Sequence, residues 1–415
     1  MSRVMTAPVK HNETSAAESE SARDDVAVAL PRCHTLPTPC ASNHASTLCV
    51  VPGINDVLVA WFGGDEEGTA DTAIRVCRLR ARDAGDVPQQ QGEWHHDVQV
   101  VTATKDAARS EQNPVLFVPP GCVRSVSLFY VSVKPKQAWH FQPQTAILMH
   151  ARSADTGVTW GDAKPLKIFG LSSTKGLWLR APVCVLRNNW WLLPAYSERS
   201  GRSVSVSLVS ADRGVTWNGV EFDATECRVQ MCVERAANDA NLVAFFRSHK
   251  ADRVYRGEIA FSGFKMFKCK PTALPNNNSG IATLRLAGRN CLIAAYNPTA
   301  VTDEPVAVKK VRGPRGGVKV ERADLKWQMA QRYPLCVSYS RDDGLHWSAP
   351  KAVHADAPDA PPSVAACRKR TRDEQQREYS YPALAQTPDG LVHLTFTFNR
   401  ESIVHYTFTE EWVFE

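Results

Sequence analysis

One eight-residue pattern, Ser-x-Asp-x-Gly-x-x-Trp, occurs three times in this chain of 415 residues. The copies occupy residues 153–160, 210–217 and 340–347. Each copy suits a tight hairpin, because the Asp side chain accepts hydrogen bonds from backbone amides of its own turn and the Gly adopts the positive φ that the turn needs. The Trp then buries a large apolar surface against its surroundings. The pattern predicts a repeat protein in which each unit carries one such hairpin.

The spacing of the copies predicts six units. The interval between the second and third copies is about twice the first interval, so one unit between them has lost the full pattern. We assign that unit to Phe261–Phe267, and an earlier decayed copy to Arg82–Gly85 followed by Trp94; a strand-rich stretch from His393 to Phe414 supplies the last unit. Each unit has room for four short strands, and four-stranded units repeated radially form a β-propeller. The predicted fold is therefore all-β, a six-bladed β-propeller of four-stranded blades.

One domain accounts for nearly the whole chain. Short β-branched or aromatic runs bounded by turn residues, such as Val57–Trp61, Ser127–Val133 and Val392–Phe398, have the character of strands. We place the propeller at residues 31–415. Residues 1–30 are polar and lack an apolar segment, which predicts a disordered tail and not a signal peptide.

Composition bounds the compartment and the partners. Twelve cysteines are scattered singly, which together with the lack of a secretory signal favours free thiols and a cytoplasmic protein. No apolar run of about 18 residues predicts a membrane span, and a net charge of +6 does not by itself imply nucleic acid. Neither a metal nor a cofactor is expected, since Cys227 and Cys232 lack a second pair, and His95 and His96 on one strand would face opposite ways. The oligomeric state has no signal in the sequence.

Two basic insertions interrupt the pattern, at residues 303–326 and 354–378. Clusters of Lys and Arg are typical of polyanion-binding or nuclear-import patches. The same clusters are also typical of solvated loops whose charges repel one another. We favour the solvated loop for both insertions.

The repeated hairpin motif resembles the Asp-box, or bacterial neuraminidase repeat, of sialidases. Further segments follow in the order and spacing of a large group of sialidase-like Asp-box proteins, the exo-α-sialidase-like group: His44–Leu48, Ala60–Ile74, Asn113–Phe117, Leu274–Ile281, Tyr296–Thr299 and Tyr379–Ala383. The resemblance covers about residues 31–410. It implies a glycoside hydrolase acting at the propeller mouth on an anionic carbohydrate of the sialic-acid type. The alternative is a propeller that binds carbohydrate or protein without catalysis.

The resemblance also implies roles for particular residues. Sialidases clamp a substrate carboxylate with three arginines, and use an acidic acid/base and a tyrosine nucleophile activated by a glutamate. Tyrosine suits an anionic sugar, which would repel a carboxylate nucleophile. In chain order the matching residues here are Arg32 or His44; Asp65, Glu67 or Asp71; Gln230, Glu226 or Glu234; Arg247; Arg332; and Tyr381 or Tyr379. The cleft is further expected to be lined by Arg180, Tyr196, Glu198 and Asn278.

Three features depart from the sialidase pattern. The Arg-Ile-Pro motif around the first arginine is absent. The residue at the place of the activating glutamate is Gln230, which cannot accept the tyrosine proton. The loop at Asp65–Asp71 offers several carboxylates in place of one, although a plain turn would also explain them. The binding-only alternative therefore stays open from sequence.

Overall fold

The structure is a computed structural model, which describes residues 31–80, 98–101, 109–136, 140–199, 201–300, 310–312, 318–320, 331–354 and 377–415. Nearly all regular structure in this part of the chain is β-strand, arranged as six blades, which confirms the predicted six-bladed β-propeller. The tail 1–30, the decayed copy at Arg82–Gly85 and Trp94, and most of both basic insertions lie outside the described residues.

The first three blades follow the chain after a single N-terminal strand, β1 (Arg32–Thr35). Blade 1 contains β2 (Ser42–Val51), β3 (Asp56–Gly64), β4 (Ala73–Leu79) and β5 (Gln99–Val100). Blade 2 contains β6 (Ser110–Phe117), β7 (Val126–Val133), β10 (Ile147–Ser153) and β11 (Lys164–Pro165), with the small hairpin of β8 (Pro135–Lys136) and β9 (His140–Phe141) and a 3-10 turn (Pro143–Thr145) inserted. Blade 3 contains β13 (Leu177–Leu179), β14 (Cys184–Val185), β15 (Trp191–Arg199), β16 (Arg202–Ser210) and β17 (Trp217–Glu221), with β12 (Ile168–Phe169) added at its outer edge.

The last three blades complete the ring. Blade 4 contains β18 (Arg228–Arg235), β19 (Asn241–Ser248), β20 (Arg253–Ala260) and β21 (Met266–Pro275), preceded by a 3-10 turn (Asp223–Thr225). Blade 5 contains β22 (Ala282–Arg285), β23 (Leu292–Tyr296), β26 (Leu335–Ser340) and β27 (Lys351–His354), with a hairpin of β24 (Lys310–Arg312) and β25 (Val318–Val320) inserted. Blade 6 contains β28 (Tyr379–Gln386), β29 (Val392–Phe398) and β30 (Ser402–Phe408), followed by the helix α1 (Glu410–Phe414).

The two ends of the propeller chain close the ring together. β1 pairs antiparallel with β30, with Arg32 opposite Thr407 and Thr35 opposite Val404, so the N-terminal strand is the outermost strand of blade 6. The first strands of neighbouring blades contact one another around the axis, as β2 does with β6 and β28. Buried aliphatic and aromatic side chains fill the space between the blades.

Among the described residues, the single α-helix has five residues, and no helix is long and apolar enough to cross a membrane. Eleven of the twelve cysteines lie in the described part of the chain, and each of those eleven is a free thiol.

The Asp-boxes occupy one equivalent position in the blades, the turn between the third and fourth strands. Blades 2, 3 and 5 carry the full motif there, and the decayed copy Phe261–Phe267 connects β20 to β21 at the same position in blade 4. Blade 6 has no such turn, since its fourth strand comes from the N-terminus. Because strands alternate in direction, these turns lie at the end of the propeller opposite the point where each first strand begins.

Each Asp-box is held by hydrogen bonds within its own turn. Asp155 accepts from the backbone N–H of Val158 at 3.1 Å and of Thr159 at 2.8 Å, and Ser153 Oγ accepts from the N–H of Gly157 at 2.7 Å. Gly157 has a φ of 88°. Asp212 and Asp342 bond in the same way. The hydroxyl and N–H of Thr159 lower the pKa of Asp155 to about 2. These aspartates therefore hold turns.

The box tryptophans of blades 2, 3 and 5 each pack against the blade before. Trp217 in blade 3 is fully buried and meets Phe129 of blade 2 edge-to-face, with ring centroids 5.7 Å apart. Trp347 in blade 5 meets Phe245 of blade 4 at 5.6 Å, and the half-buried Trp160 packs against the core shared by blades 1 and 2. The boxes therefore stabilise contacts between blades at the end of the propeller opposite the one where the first strands begin.

We expect Trp217→Ala to reduce the free energy of unfolding by about 3–5 kcal/mol, because it leaves a large cavity between blades 2 and 3. Trp160→Ala is the matched control and should cost less, since its ring is only half-buried. Denaturant unfolding of both variants measures the difference. Equal losses would contradict the role given to burial of the box tryptophan.

Candidate functional site

A backbone irregularity repeats near the start of the first strands. Five non-glycine residues there have positive φ, between 47° and 61°: Ala45, Asn113, Gln230, Asn278 and Tyr381. At four of them the strand register shifts, and in blade 3 the first strand breaks after β13, at Arg180. A left-handed non-glycine residue costs about 1–2 kcal/mol, and such strain clusters at functional sites. These residues all lie at one end of the propeller.

Tyr381 lies at the centre of this end. Its Oη accepts a hydrogen bond from Arg247 Nη1 at 2.6 Å. Three guanidinium groups surround its ring, with centroid distances of 5.2 Å for Arg180, 5.7 Å for Arg247 and 5.8 Å for Arg332. The imidazole of His44 packs on the same ring at 4.4 Å. Blades 1, 3, 4, 5 and 6 thus meet at one side chain.

Polar neighbours fix the orientation of Arg247. Its Nε donates to Asn278 Oδ1 at 2.8 Å, and its Nη1 donates to Gln230 Oε1 at 3.0 Å as well as to Tyr381. Gln230 Nε2 faces the hydroxyls of Tyr381 at 3.4 Å and of Tyr196 at 3.3 Å. Asn278 also accepts from Arg332 through its backbone carbonyl, at 3.2 Å. Asn278, predicted to bind substrate, therefore positions two arginines.

A chain of alternating charges runs along one side of Tyr381. Glu378 accepts from Arg332 Nη1 at 2.7 Å and from Arg400 Nε at 3.0 Å, and Arg400 Nη1 donates onward to Glu67. Burial opposes ionisation of Glu378, but Arg332 and Arg400 outweigh it and hold the pKa well below its usual range. The chain connects the loop of blade 1 to a turn of blade 6 and the start of β26 in blade 5.

The surroundings set the protonation of the other groups. Burial opposes ionisation of Tyr381, yet Arg247 and Arg332 lower the pKa of its hydroxyl. Burial keeps the pKa of His44 well below 6.5, with Arg400 adding to the effect, so its imidazole is neutral at pH 7. Burial raises the pKa of Glu198 to about 7 despite the nearby Arg247. Glu198 adjoins the site through Tyr196, two residues earlier on β15.

Several sequence alternatives fall outside the cluster. Arg32 lies on the outermost strand of blade 6, and the neutral His44 at the other candidate position contributes an aromatic wall instead of a charge. Tyr379 is a core residue whose ring stacks on Phe398 at 5.0 Å. Glu226 is exposed. These positions do not supply the predicted arginine, nucleophile or activating carboxylate.

The carboxylates of the blade 1 loop have different surroundings. Asp71 accepts from the backbone N–H of Asp65 at 2.6 Å and from the Thr69 hydroxyl, so it shapes its own loop. Glu67 pairs with Arg400. Asp65 is exposed on the loop between β3 and β4. Glu234, an alternative to Gln230, accepts from Thr283 at 2.8 Å and has a pKa raised to about 7 by burial.

Sequence reasoning missed Arg400 and assigned no role to the carboxylate of Glu378. Arg400 lies in the tight turn between β29 and β30. Turns between second and third strands all reach the propeller end where the first strands begin, as the Asp65–Asp71 loop does in blade 1. The position of Arg400 after the predicted strand Val392–Phe398 was the signal that could have found it.

Arg180 spans the floor of the site. Its two Nη atoms donate to the backbone carbonyls of Ser46 at 3.1 Å and Pro382 at 2.6 Å, which joins blade 3 to blades 1 and 6. Its Nε is buried and has no partner among the described residues. A cavity of about 20 Å³, the size of one water molecule, lies beside it and is also lined by Thr47, Cys232 and Thr283.

No group of three His, Cys, Asp or Glu side chains in the described part of the chain could hold a metal ion. A larger groove of about 350 Å³, lined in part by Arg152, Trp191 and Arg213, lies near the Asp-box of blade 3 and contains none of the residues around Tyr381. The charged cluster, and not the larger groove, is the candidate site, since only the cluster combines a tyrosine, arginines and carboxylates in contact.

The family of the chain follows from comparison with known proteins. The model of the BNR repeat-like domain family matches residues 55–394, and the chain belongs to that family. No curated protein matches the sequence.

Solved structures share the fold at low sequence identity. The Hadza microbial sialidase Hz136 aligns with a TM-score of 0.66 and 11% identity, over 90% of this chain and 66% of the sialidase. A protein of unknown function from Dyadobacter fermentans aligns with a TM-score of 0.63 and 12% identity, over 91% and 98% of the two chains. The Trypanosoma rangeli sialidase in complex with the inhibitor DANA aligns with a TM-score of 0.60 and 13% identity, over 90% of this chain and 56% of its own. This chain thus spans less than two thirds of these two sialidases.

We expect Glu378→Gln to reduce the free energy of unfolding by about 2–4 kcal/mol, because Arg332 and Arg400 would keep their charges without the carboxylate between them. Asp223→Asn is the matched control: it also removes an arginine partner, but Asp223 is 82% exposed, and the change should stay within about 1 kcal/mol. Urea unfolding at neutral pH measures both. A loss no larger than that of the control would contradict a structural role for the charge chain.

Proposed function

We propose that the protein is a glycoside hydrolase acting on an anionic sugar of the sialic-acid type at the propeller mouth. The observation that carries the proposal is the hydrogen bond of 2.6 Å from Arg247 to Tyr381 inside a ring of arginines. A tyrosine nucleophile and an arginine clamp form the combination that the resemblance to sialidases implies. The low identity of the solved sialidases supports the fold alone, so the proposal depends on the site.

The charge balance favours an anionic ligand. Four guanidinium groups lie at the site, from Arg180, Arg247, Arg332 and Arg400, and only the last two of them pair with carboxylates of the described residues, those of Glu378 and Glu67. Arg332 Nε is buried without a partner among the described residues. A carboxylate on the substrate offsets this excess, because it accepts paired hydrogen bonds from the guanidinium fork.

In the proposed reaction, Tyr381 first loses its hydroxyl proton to water, and its Oη then bonds to the anomeric carbon while the bond to the leaving oxygen breaks. The leaving oxygen keeps the bonding pair and takes a proton from Asp65, the loop carboxyl that neither pairs with Arg400 nor holds its own loop. Water then attacks the anomeric carbon, returns a proton to Asp65 and releases Tyr381. Both steps conserve charge, and the substrate carboxylate stays bound to the arginines throughout.

One observation favours the binding-only alternative. Gln230 occupies the position of the activating glutamate and contacts Tyr381, but an amide cannot take the hydroxyl proton. A propeller that binds an acidic glycan without cleaving it would need the arginines and not the base.

A screen of purified protein tests the proposal. Fluorogenic glycosides of carboxylate-bearing sugars are compared with neutral glycosides, and binding of the free sugars is measured in parallel. Turnover confined to carboxylate-bearing substrates supports the hydrolase. Binding of the acidic sugars without turnover supports the alternative, and neither activity nor binding would overturn both.

We expect Tyr381→Phe to abolish turnover while binding of the acidic sugar is retained, because the change removes the attacking oxygen and leaves the arginines in place. The matched control is Tyr379→Phe, a change two residues away in the core, which should keep activity in the folded protein. Steady-state rates and ligand titrations measure the two effects. Full activity of Tyr381→Phe would eliminate the tyrosine mechanism.

We expect Arg247→Lys to weaken binding of the acidic sugar about 10- to 100-fold, because one ammonium replaces a fork that bonds Asn278, Gln230 and Tyr381 at once. Arg202→Lys, on the surface beside Asp223, is the control and should bind normally. Calorimetric titration gives both affinities. Unchanged affinity of Arg247→Lys would place the carboxylate elsewhere.

A further inference from the structure

The oxygen of Tyr381 is faced only by hydrogen-bond donors among the described residues. Arg247 Nη1 donates to it at 2.6 Å, and Gln230 Nε2 faces it at 3.4 Å. A guanidinium has no acceptor, so Arg247 cannot take the hydroxyl proton. A neutral phenol at this place has no protein acceptor for its own hydrogen, whereas a phenolate is solvated by both neighbours.

The amide of Gln230 cannot reverse this arrangement. Gln230 Oε1 accepts from Arg247 Nη1 at 3.0 Å. Flipping the amide would bring its NH₂ group against a guanidinium that only donates. Arg247 therefore fixes the Oε1 end, and the two N–H groups of Nε2 are left for the oxygens of Tyr381 and Tyr196.

The charges around Tyr381 also favour the ionised form of its hydroxyl. Positive groups on three blades lie near it, and the nearest negative groups pair with arginines of their own. The groups that face it are Arg180, Arg247, Arg332, neutral His44, Glu67, which pairs with Arg400, and the hydroxyl of Tyr196. Glu378 offsets Arg332 only in part, since it is shared with Arg400.

We infer that Tyr381 is held as a phenolate in the free protein by Arg247, Arg332 and the amide of Gln230, so that no carboxylate base is needed. Its proton leaves to solvent before substrate binds. Gln230 is then a positioning residue, which orients a donor toward the phenolate without neutralising Arg247. The direction of the Tyr381 pKa, lowered in spite of burial, agrees with this arrangement. The catalytic meaning of the phenolate rests on the proposed hydrolase, but the ionisation itself does not.

Gly280 leaves room for this arrangement. A Cβ there would lie 3.2 Å from Gln230 Oε1, 3.4 Å from Arg180 Nε and 3.4 Å from Tyr381 Cδ1. The missing side chain lets the amide, the guanidinium and the ring approach one another closely.

A carboxylate at position 230 would raise the pKa of the Tyr381 hydroxyl instead of lowering it. It would pair with Arg247 at about the present contact, remove one positive charge from the phenolate and replace a donor by an acceptor. Charges at such distances shift a pKa by about 1–3 units.

Ultraviolet titration of the tyrosinate band, without substrate, tests the inference. The difference between wild-type protein and Tyr381→Phe should contain one tyrosinate band that is already present at neutral pH, with a midpoint well below the ordinary value of about 10. Gln230→Glu should raise that midpoint by at least about one pH unit. Tyr379→Phe, as control, should leave the low-pH component in place. If Gln230→Glu does not fold, Gln230→Met removes the donor without adding charge and should raise the midpoint by less.

A difference band that is absent at neutral pH overturns the inference, as does a Gln230→Glu midpoint that is unchanged or lower. Neither result depends on turnover. Activity that requires Tyr381 together with an ordinary midpoint would leave the proposed hydrolase standing and remove the phenolate. A low midpoint in a protein without activity would support the phenolate and contradict the proposed hydrolase.

Discussion

The candidate site depends on a backbone constraint that the propeller imposes at its axis. Six first strands converge there, and a regular strand would point its side chains alternately toward its two neighbouring blades. A left-handed residue breaks this alternation in five of the strands, at Ala45, Asn113, Gln230, Asn278 and Tyr381. Each costs about 1–2 kcal/mol. Packing between the blades offsets that cost. The irregularities bring polar side chains together at one level along the propeller axis.

The arginines at this end of the propeller would repel one another without the carboxylates between them. Glu378 binds two arginines, and Glu67 binds one of the same two. Arg180 instead gives its Nη atoms to backbone carbonyls of two other blades. Arg247 donates instead to the oxygens of Asn278, Gln230 and Tyr381, and not to a carboxylate of the described residues. Positive potential is therefore concentrated at the tyrosine oxygen.

The fold could be predicted from sequence because the Asp-box encodes both its own turn and its spacing. Asp155 and Gly157 determine a local geometry, and the recurrence of the motif gives the number of blades. The site could be predicted only in part, through Arg247, Arg332 and Tyr381. His44 is neutral because it is buried, and the burial of one side chain cannot be derived from a single sequence. Arg400 lies in a turn that has no recognisable sequence motif. Only the position of that turn between the second and third strands of its blade indicates that Arg400 reaches the site.

The two ends of the propeller have different roles: one stabilises contacts between blades, and the other carries the candidate site. At one end the Asp-boxes hold blades 2, 3 and 5 to the blades before them through local hydrogen bonds and a packed tryptophan, which requires little from the rest of the sequence. This agrees with a shared fold at 11–13% identity. At the other end, blades 1, 3, 4, 5 and 6 contribute side chains to a common cluster, so a single replacement changes the chemistry of all of them. Gln230 is one of these side chains. An amide there leaves the charge of Arg247 directed at Tyr381, whereas a glutamate would pair with Arg247, so the residue at position 230 decides how much positive charge acts on the tyrosine oxygen.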